Sequence, residues 1–124
     1  MEARSDFDLL AASLRADATD LRAFVEALAA KLEASFPDRV RVDRAGFLGA
    51  KRVRKVAVDL GDNRYEVEHD AGRVSARRCT VVRAIALKNE ELGIADWIDG
   101  LSRELVDEAD RSGRGREALE RLLR

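Results

Sequence analysis

The chain has 124 residues, of which 46% are hydrophobic and 38% are charged, and its formal net charge is −1. This length favours one domain over residues 1–124 with a modest core, and this composition is typical of a folded protein and excludes a disordered one. A net charge near zero argues against a protein that binds a polyanion with its whole surface.

The charge is nevertheless unevenly distributed along the chain. Residues 36–60 carry seven basic and three acidic side chains, whereas residues 89–124 carry six basic and ten acidic ones, and residues 1–35 are also acidic. Cys79 is the single cysteine, so we expect no internal disulfide. The first residues lack the order of a signal peptide, and the apolar runs are too short to span a membrane. These absences favour a cytoplasmic protein.

The N-terminal part of the sequence has helical periodicity. Apolar residues recur every three or four positions over residues 20–36, which predicts a helix with one apolar face. Asp17 or Thr19 is suited to cap its start, and Pro37 should end it, because the residue before a proline disfavours the α conformation. A shorter helix is predicted over residues 6–14. The apolar stripe of the longer helix consists of Leu21, Phe24, Val25, Leu28, Leu32 and Phe36.

The centre of the chain alternates with a period of two, which is typical of strands. Val53 is out of phase with its strand, so we expect a bulge or a frayed start near Arg54. The fourth predicted strand covers residues 73–87, with a break expected at Arg77 and Arg78. The apolar positions of the first three strands are Val40 and Val42, then Val56, Val58 and Leu60, then Tyr65 and Val67.

Helical spacing returns after Gly93 and continues to residue 123, with an interruption at residues 112–115. The predicted fold is therefore α+β. Helices over residues 6–36 precede a four-stranded antiparallel meander over residues 39–87, and one or two helices over residues 94–123 pack on one face of the sheet. The layout is similar in architecture alone to small α+β adaptor and secretion-chaperone domains, so no residue roles are carried over.

The sequence shows no pattern typical of a catalytic site, a metal site or a phosphate loop. His69 is the single histidine, and we interpret it as a residue at the rim of the core rather than a catalytic base. Cys79 lies among apolar residues, where a cysteine acts as a small hydrophobic side chain. We therefore expect no enzyme activity, no cofactor, no metal and no small-molecule ligand. An enzyme with its site around His69 is a third hypothesis, which requires a concave pocket there with convergent polar groups.

The predicted hairpin over residues 45–55 joins an apolar tip to a basic strand. Three interpretations remain open. The tip folds back on the core, it inserts into a protein partner, or it rests on an anionic surface of membrane or nucleic acid. The residues of this candidate interaction site are Phe47, Leu48, Lys51, Arg52, Arg54 and Lys55.

The segment 79–87 is apolar on both faces, which is typical of a central or covered strand. Together with the surplus apolar faces of the helices, it predicts a non-catalytic protein-interaction or adaptor module that binds itself or another protein, as a homodimer or as a subunit of a larger assembly. Trp97, Val81 and Ile85 are its expected interface or core anchors. The alternative is a protein that binds nucleic acid or an anionic membrane through the basic hairpin and the sheet arginines.

Overall fold

A computed structural model describes residues 9, 11, 12 and 14 and the ranges 20–46, 52–70 and 72–123. Residues 9, 11, 12 and 14 are helical. The elements that follow are α1 (Leu21–Ser35), β1 (Val40–Ala45), β2 (Arg52–Leu60), β3 (Asn63–Asp70), β4 (Arg73–Val82), β5 (Ile85–Leu92), α2 (Ile94–Arg111) and α3 (Gly113–Leu123). None of these helices is both long and apolar enough to cross a membrane.

Helix α1 agrees with the prediction except at its cap. The cap is Asp20, whose carboxylate accepts a hydrogen bond of 3.2 Å from the amide of Ala23, because an extended residue in this position can satisfy an amide of the first turn. Asp17 and Thr19, which the sequence favoured, lie outside the described residues. The helix ends at Ser35, two residues before Pro37, as predicted.

The α+β class is confirmed, but the sheet has five strands and not four. All neighbouring strands are antiparallel, in the order β1-β2-β3-β4-β5. The predicted long strand over residues 73–87 is wrong, because the chain reverses at Arg83 and Ala84 and continues as β5. The break expected at Arg77 and Arg78 is also wrong, since both residues lie within β4.

Of the two alternatives predicted near Arg54, a bulge or a frayed start of the strand, the structure shows the bulge. Asp43 faces Lys55 and Arg44 faces Val53, so Arg54 has no facing residue in β1. The amide of Val53 donates to a carboxylate oxygen of Glu26 in α1 at 2.6 Å. This bond ties the bulged end of β2 to the helix layer and lets Val53 point into the core, where it is buried.

The core lies between one face of the sheet and the helices. Helix α1 contacts β1, β2 and β3, and α2 contacts β2 and β4, so these two helices cover one face of the sheet, and α3 packs against both of them. Trp97 in α2 is completely buried, and its indole N–H donates to the carbonyl of Arg77 at 3.0 Å. The other large buried side chains are Tyr65, Phe24, Phe36, Leu28, Leu32, Leu60, Ile98, Leu101, Leu105 and Leu119.

Candidate interaction surface

The β4–β5 hairpin closes through a turn that is unusual for its residues. Arg83 and Ala84 have φ angles of 53° and 66°, and two successive positive angles are the mark of the type I′ turn, which normally contains Asn and Gly. For residues with a Cβ atom, the left-handed conformation costs about 1–2 kcal/mol each. The fold therefore maintains this hairpin against a local preference of its own turn residues.

The tip of this hairpin presents apolar side chains to solvent. Ile85 and Leu87 are 62% and 66% exposed, and they are the most exposed large hydrophobic residues in the described part of the chain. Val81 and Val82 on the opposite strand are only partly buried. A large exposed apolar patch is typical of a binding surface. We call residues 81–87 the apolar tip.

The segment 79–87, which the sequence predicted to be a covered strand, is thus a turn and the two strand ends that flank it. Of its predicted anchors, Val81 is half-buried and Ile85 lies outside the core. Trp97 is a core residue, packed edge-to-face against Tyr65 with ring centroids 6.2 Å apart. Apart from Leu21, which is 36% exposed, the apolar stripe of α1 is buried, and most of the α2 stripe is buried too, so the helices supply little of the surplus surface that the sequence suggested.

The rest of β5 is polar and forms one edge of the sheet. Arg78 donates to Oε1 of Glu90 at 3.1 Å, and the Lys88 ammonium lies 3.3 Å from the same oxygen. These hydrogen bonds from Arg78 and Lys88 lower the pKa of Glu90. No described element pairs with the outer side of β5, so its backbone groups there are open to another strand.

A bulge separates the apolar tip from this polar part. Lys88 faces Thr80 and Ala86 faces Val81, so Leu87 has no facing residue in β4. An extra residue of this kind increases the local twist of the strand. The bulge therefore sets Leu87 apart from the regular pairing of β4 and β5.

The sheet face opposite the helices carries a network of ion pairs. The carboxylate of Glu66 lies 3.6 Å from the Lys55 ammonium and 3.5 Å from the Arg77 guanidinium. Glu68 lies 3.8 Å from both Arg77 and Arg54. Each basic member of the network therefore already has an acidic partner within the sheet.

The basic hairpin predicted from the sequence is only partly described. Phe47, Leu48 and Lys51 lie outside the described residues. Arg54 and Lys55 belong to the ion-pair network of the open face, whereas Arg52 is exposed and makes no ion pair with a described residue. The structure thus does not gather the described members of this group into one unpaired basic cluster.

Neither a metal site nor an enclosed pocket emerges from the described part of the chain. It contains no group of three His, Cys, Asp or Glu residues that could hold a metal ion. A depression on the open face, between Arg41, Lys55 and Glu66, has a volume of about 130 Å³. Larger depressions of about 460–560 Å³ elsewhere on the described surface are wide open to solvent. His69 is half-buried opposite Val74 in β4, in agreement with a position at the rim of the core.

Sequence reasoning missed the strand Ile85–Leu92, and with it the edge of the sheet. Its centre, Lys88 to Glu91, is polar at every position, so no alternation was visible, although charged residues are common on edge strands. The signal available was Arg83, a lone charged residue within an apolar run. In comparisons with protein-family models, with curated proteins and with solved structures, no match to this chain is found.

Proposed function

We propose that this protein is a non-catalytic interaction module that binds itself or another protein through the apolar tip of the β4–β5 hairpin. The observation that carries the proposal is the exposure of Ile85 and Leu87, at 62% and 66%. Complete burial of a side chain of this size contributes roughly 1.5–3 kcal/mol. A partner that covered both side chains would therefore gain a substantial part of its binding free energy from them.

The position of these side chains adds to the argument. They lie at the beginning of β5, an edge strand of the sheet, where proteins normally place charged residues or proline to prevent unwanted pairing. Here the charged residues protect only the part from Lys88 to Glu91. An apolar segment that is left open next to a protected one is suited to a specific partner.

The strained turn of the β4–β5 hairpin also supports a binding role for the apolar tip. Backbone conformations that the local residues disfavour are concentrated at functional sites, where the surrounding structure maintains them. Arg83 and Ala84 both adopt such a conformation. The turn thereby holds the two apolar strand ends in one fixed arrangement, which lowers the entropy lost on binding.

The alternative, binding to nucleic acid or to an anionic membrane, receives less support. Affinity for a nucleic acid comes largely from basic side chains that neutralise its phosphates and release the counterions bound there. In the sheet, Arg54, Lys55 and Arg77 lie next to Glu66 or Glu68. Binding there would require the phosphates to compete with carboxylates that are already in place.

The proposal is tested by two measurements on the full chain and on the double variant Ile85→Lys/Leu87→Lys. Light scattering should give the wild type a mass above the 13.8 kDa of one chain, or the wild type should capture a partner from a lysate. Either association should be lost in the double variant. The matched control is Leu21→Lys, which changes an apolar residue that is 36% exposed on α1 and should change neither result.

An association that is the same in the wild type and in the double variant would refute the proposed role of the apolar tip. A wild type that stays monomeric at every concentration and captures no partner would refute the proposed function as a whole. Circular dichroism of each variant verifies that the fold is retained.

A further inference from the structure

We infer that the partner of this surface is β5 of a second copy, paired antiparallel about a two-fold axis at Asn89. This inference rests on the proposed function and specifies its partner. It combines the open edge of β5 with the order of charges along that strand. The product is one continuous sheet made from the five strands of each copy.

Two-fold symmetry restricts how β5 can face itself. In an antiparallel pair, facing residues lie on the same face of the sheet, so one residue must lie on the axis and face its own copy. With Asn89 on the axis, Lys88 of each copy faces Glu90 of the other. This register creates two identical pairs of opposite charge, one on each side of the axis.

The neighbouring registers are less favourable. An axis at Lys88 places two ammonium groups opposite each other, and an axis at Glu90 does the same with two carboxylates. Like charges that face each other directly across strands are destabilising. Among the registers that pair the polar part of β5, the axis at Asn89 is the one that joins Lys88 to Glu90.

The contacts within one copy leave room for this pair. The contacts of Glu90 with Arg78 and with Lys88 both use Oε1, so Oε2 remains for the ammonium group of the second copy. The Arg78 guanidinium also fixes the position of this carboxylate. The Lys88 side chain is 67% exposed and can turn towards the second copy without leaving a buried site.

The same register provides cover for the apolar tip. Beyond the bulge at Leu87, Ala86 and Ile85 of one copy come next to the segment Leu92–Ile94 of the other. Leu92 and Ile94 are partly buried and pack against the core, so they offer an apolar border at the edge of the sheet. The exposed tip of each copy thus lies over the rim of the other core.

Disulfide trapping tests the register directly. The variant Asn89→Cys is made in a Cys79→Ala background, because Cys79 faces Asn89 within one chain and would otherwise compete for the new thiol. Facing residues on the axis have Cα atoms about 4.5–5.5 Å apart, within the range of a disulfide. We expect mild oxidation to convert this variant into a covalent dimer.

The matched control is Glu91→Cys in the same background. In the proposed register Glu91 faces Leu87, so the two thiols lie four residues apart along the strands, about 14 Å. This variant should remain a monomer on a non-reducing gel. A covalent dimer from Glu91→Cys, or none from Asn89→Cys, overturns the register.

Charge exchange supplies an independent measurement. Lys88→Glu and Glu90→Lys each place like charges opposite each other at two symmetric positions, and each should weaken dimerisation about tenfold. The double variant Lys88→Glu/Glu90→Lys restores both opposite pairs and should recover most of the affinity. Sedimentation equilibrium measures the dissociation constant of all four proteins.

The outcomes separate this inference from the proposed function. A dimer that depends on Ile85 and Leu87 but fails the trapping test overturns the register alone. A monomer that captures another protein through the apolar tip overturns the second copy as the partner and leaves the interaction module in place. An association that does not depend on Ile85 and Leu87 overturns both this inference and the proposed function.

Discussion

Gly100 allows α2 to pack closely on the sheet, and Gly100→Ala tests how tightly. A Cβ atom at this position would lie 3.2 Å from both Cε2 and Oη of Tyr65 and 3.6 Å from a guanidinium nitrogen of Arg78. Ordinary contacts between such atoms are about 3.5–4.0 Å. Tyr65 has little freedom to withdraw, because it is buried and packed edge-to-face against Trp97.

Two effects of opposite sign decide the outcome of this substitution. Alanine in place of glycine inside a helix gains about 0.8–1 kcal/mol. Overpacking a well-filled core costs about 1–3 kcal/mol, and here both close contacts are to one confined ring. We expect Gly100→Ala to lower the free energy of unfolding by about 1 kcal/mol, because the steric term exceeds the gain in helix propensity.

Urea unfolding followed by circular dichroism measures the change as a shift of the midpoint at constant slope. The control is Gly113→Ala at the start of α3, where an added Cβ meets nothing within 4 Å and stability should not fall. In a Tyr65→Phe background the contact with Oη is absent, so Gly100→Ala should be less destabilising there. A Gly100→Ala variant as stable as the wild type would refute the steric argument.

The remaining predictions concern stability. Ser102→Ala should raise the free energy of unfolding, measured by urea unfolding, by about 1 kcal/mol. The buried hydroxyl of Ser102 has no hydrogen-bond partner among the described residues, so its removal ends a desolvation cost; a loss of stability would contradict this. Arg83→Asn/Ala84→Gly should stabilise the fold by about 1–2 kcal/mol, since it matches the turn to its positive φ angles; an unchanged melting temperature would count against the strain. Burial acts to raise the pKa of Glu108, but the hydrogen bond and attraction of Arg39 at 2.9 Å hold that pKa below its ordinary value of 4.5. The ionised Glu108 therefore stabilises the fold above pH 4.5, and this stabilisation is lost as the pH falls through the lowered pKa. On acidification, the free energy of unfolding should fall less in Glu108→Gln than in the wild type. Parallel curves of this free energy against pH for the two proteins would refute the prediction.

The sequence was most informative where one periodicity persisted over several turns or strands. The α1 stripe, the alternation in β2 and β3 and the out-of-phase Val53 were all interpreted correctly. Each of these patterns reflects burial on one face, which repeats along an element and so is visible in the residues themselves. The α+β class followed from the same signals.

The β4–β5 hairpin could not be predicted in the same way. Its turn contains no glycine, proline or asparagine, and β5 alternates too little to be recognised as a strand. The turn is determined by tertiary pairing with β4, from Ala76 to Val82, which overrides the local preference of Arg83 and Ala84. The apolar tip was therefore noticed as unusual sequence but assigned to the interior of the sheet.

The position of Cys79 allows thiol labelling to report local opening of the sheet around β4. The thiol is buried in β4, opposite Asn89 of β5 on one side and Arg64 of β3 on the other. Cys79 is only 9% exposed, so a reagent reaches its thiol when the surrounding side chains or a neighbouring strand move away, and the labelling rate measures the free energy of that local opening. Because the chain has no other cysteine, the signal is unambiguous. Slower labelling at higher protein concentration would follow the protection of this edge by a second molecule.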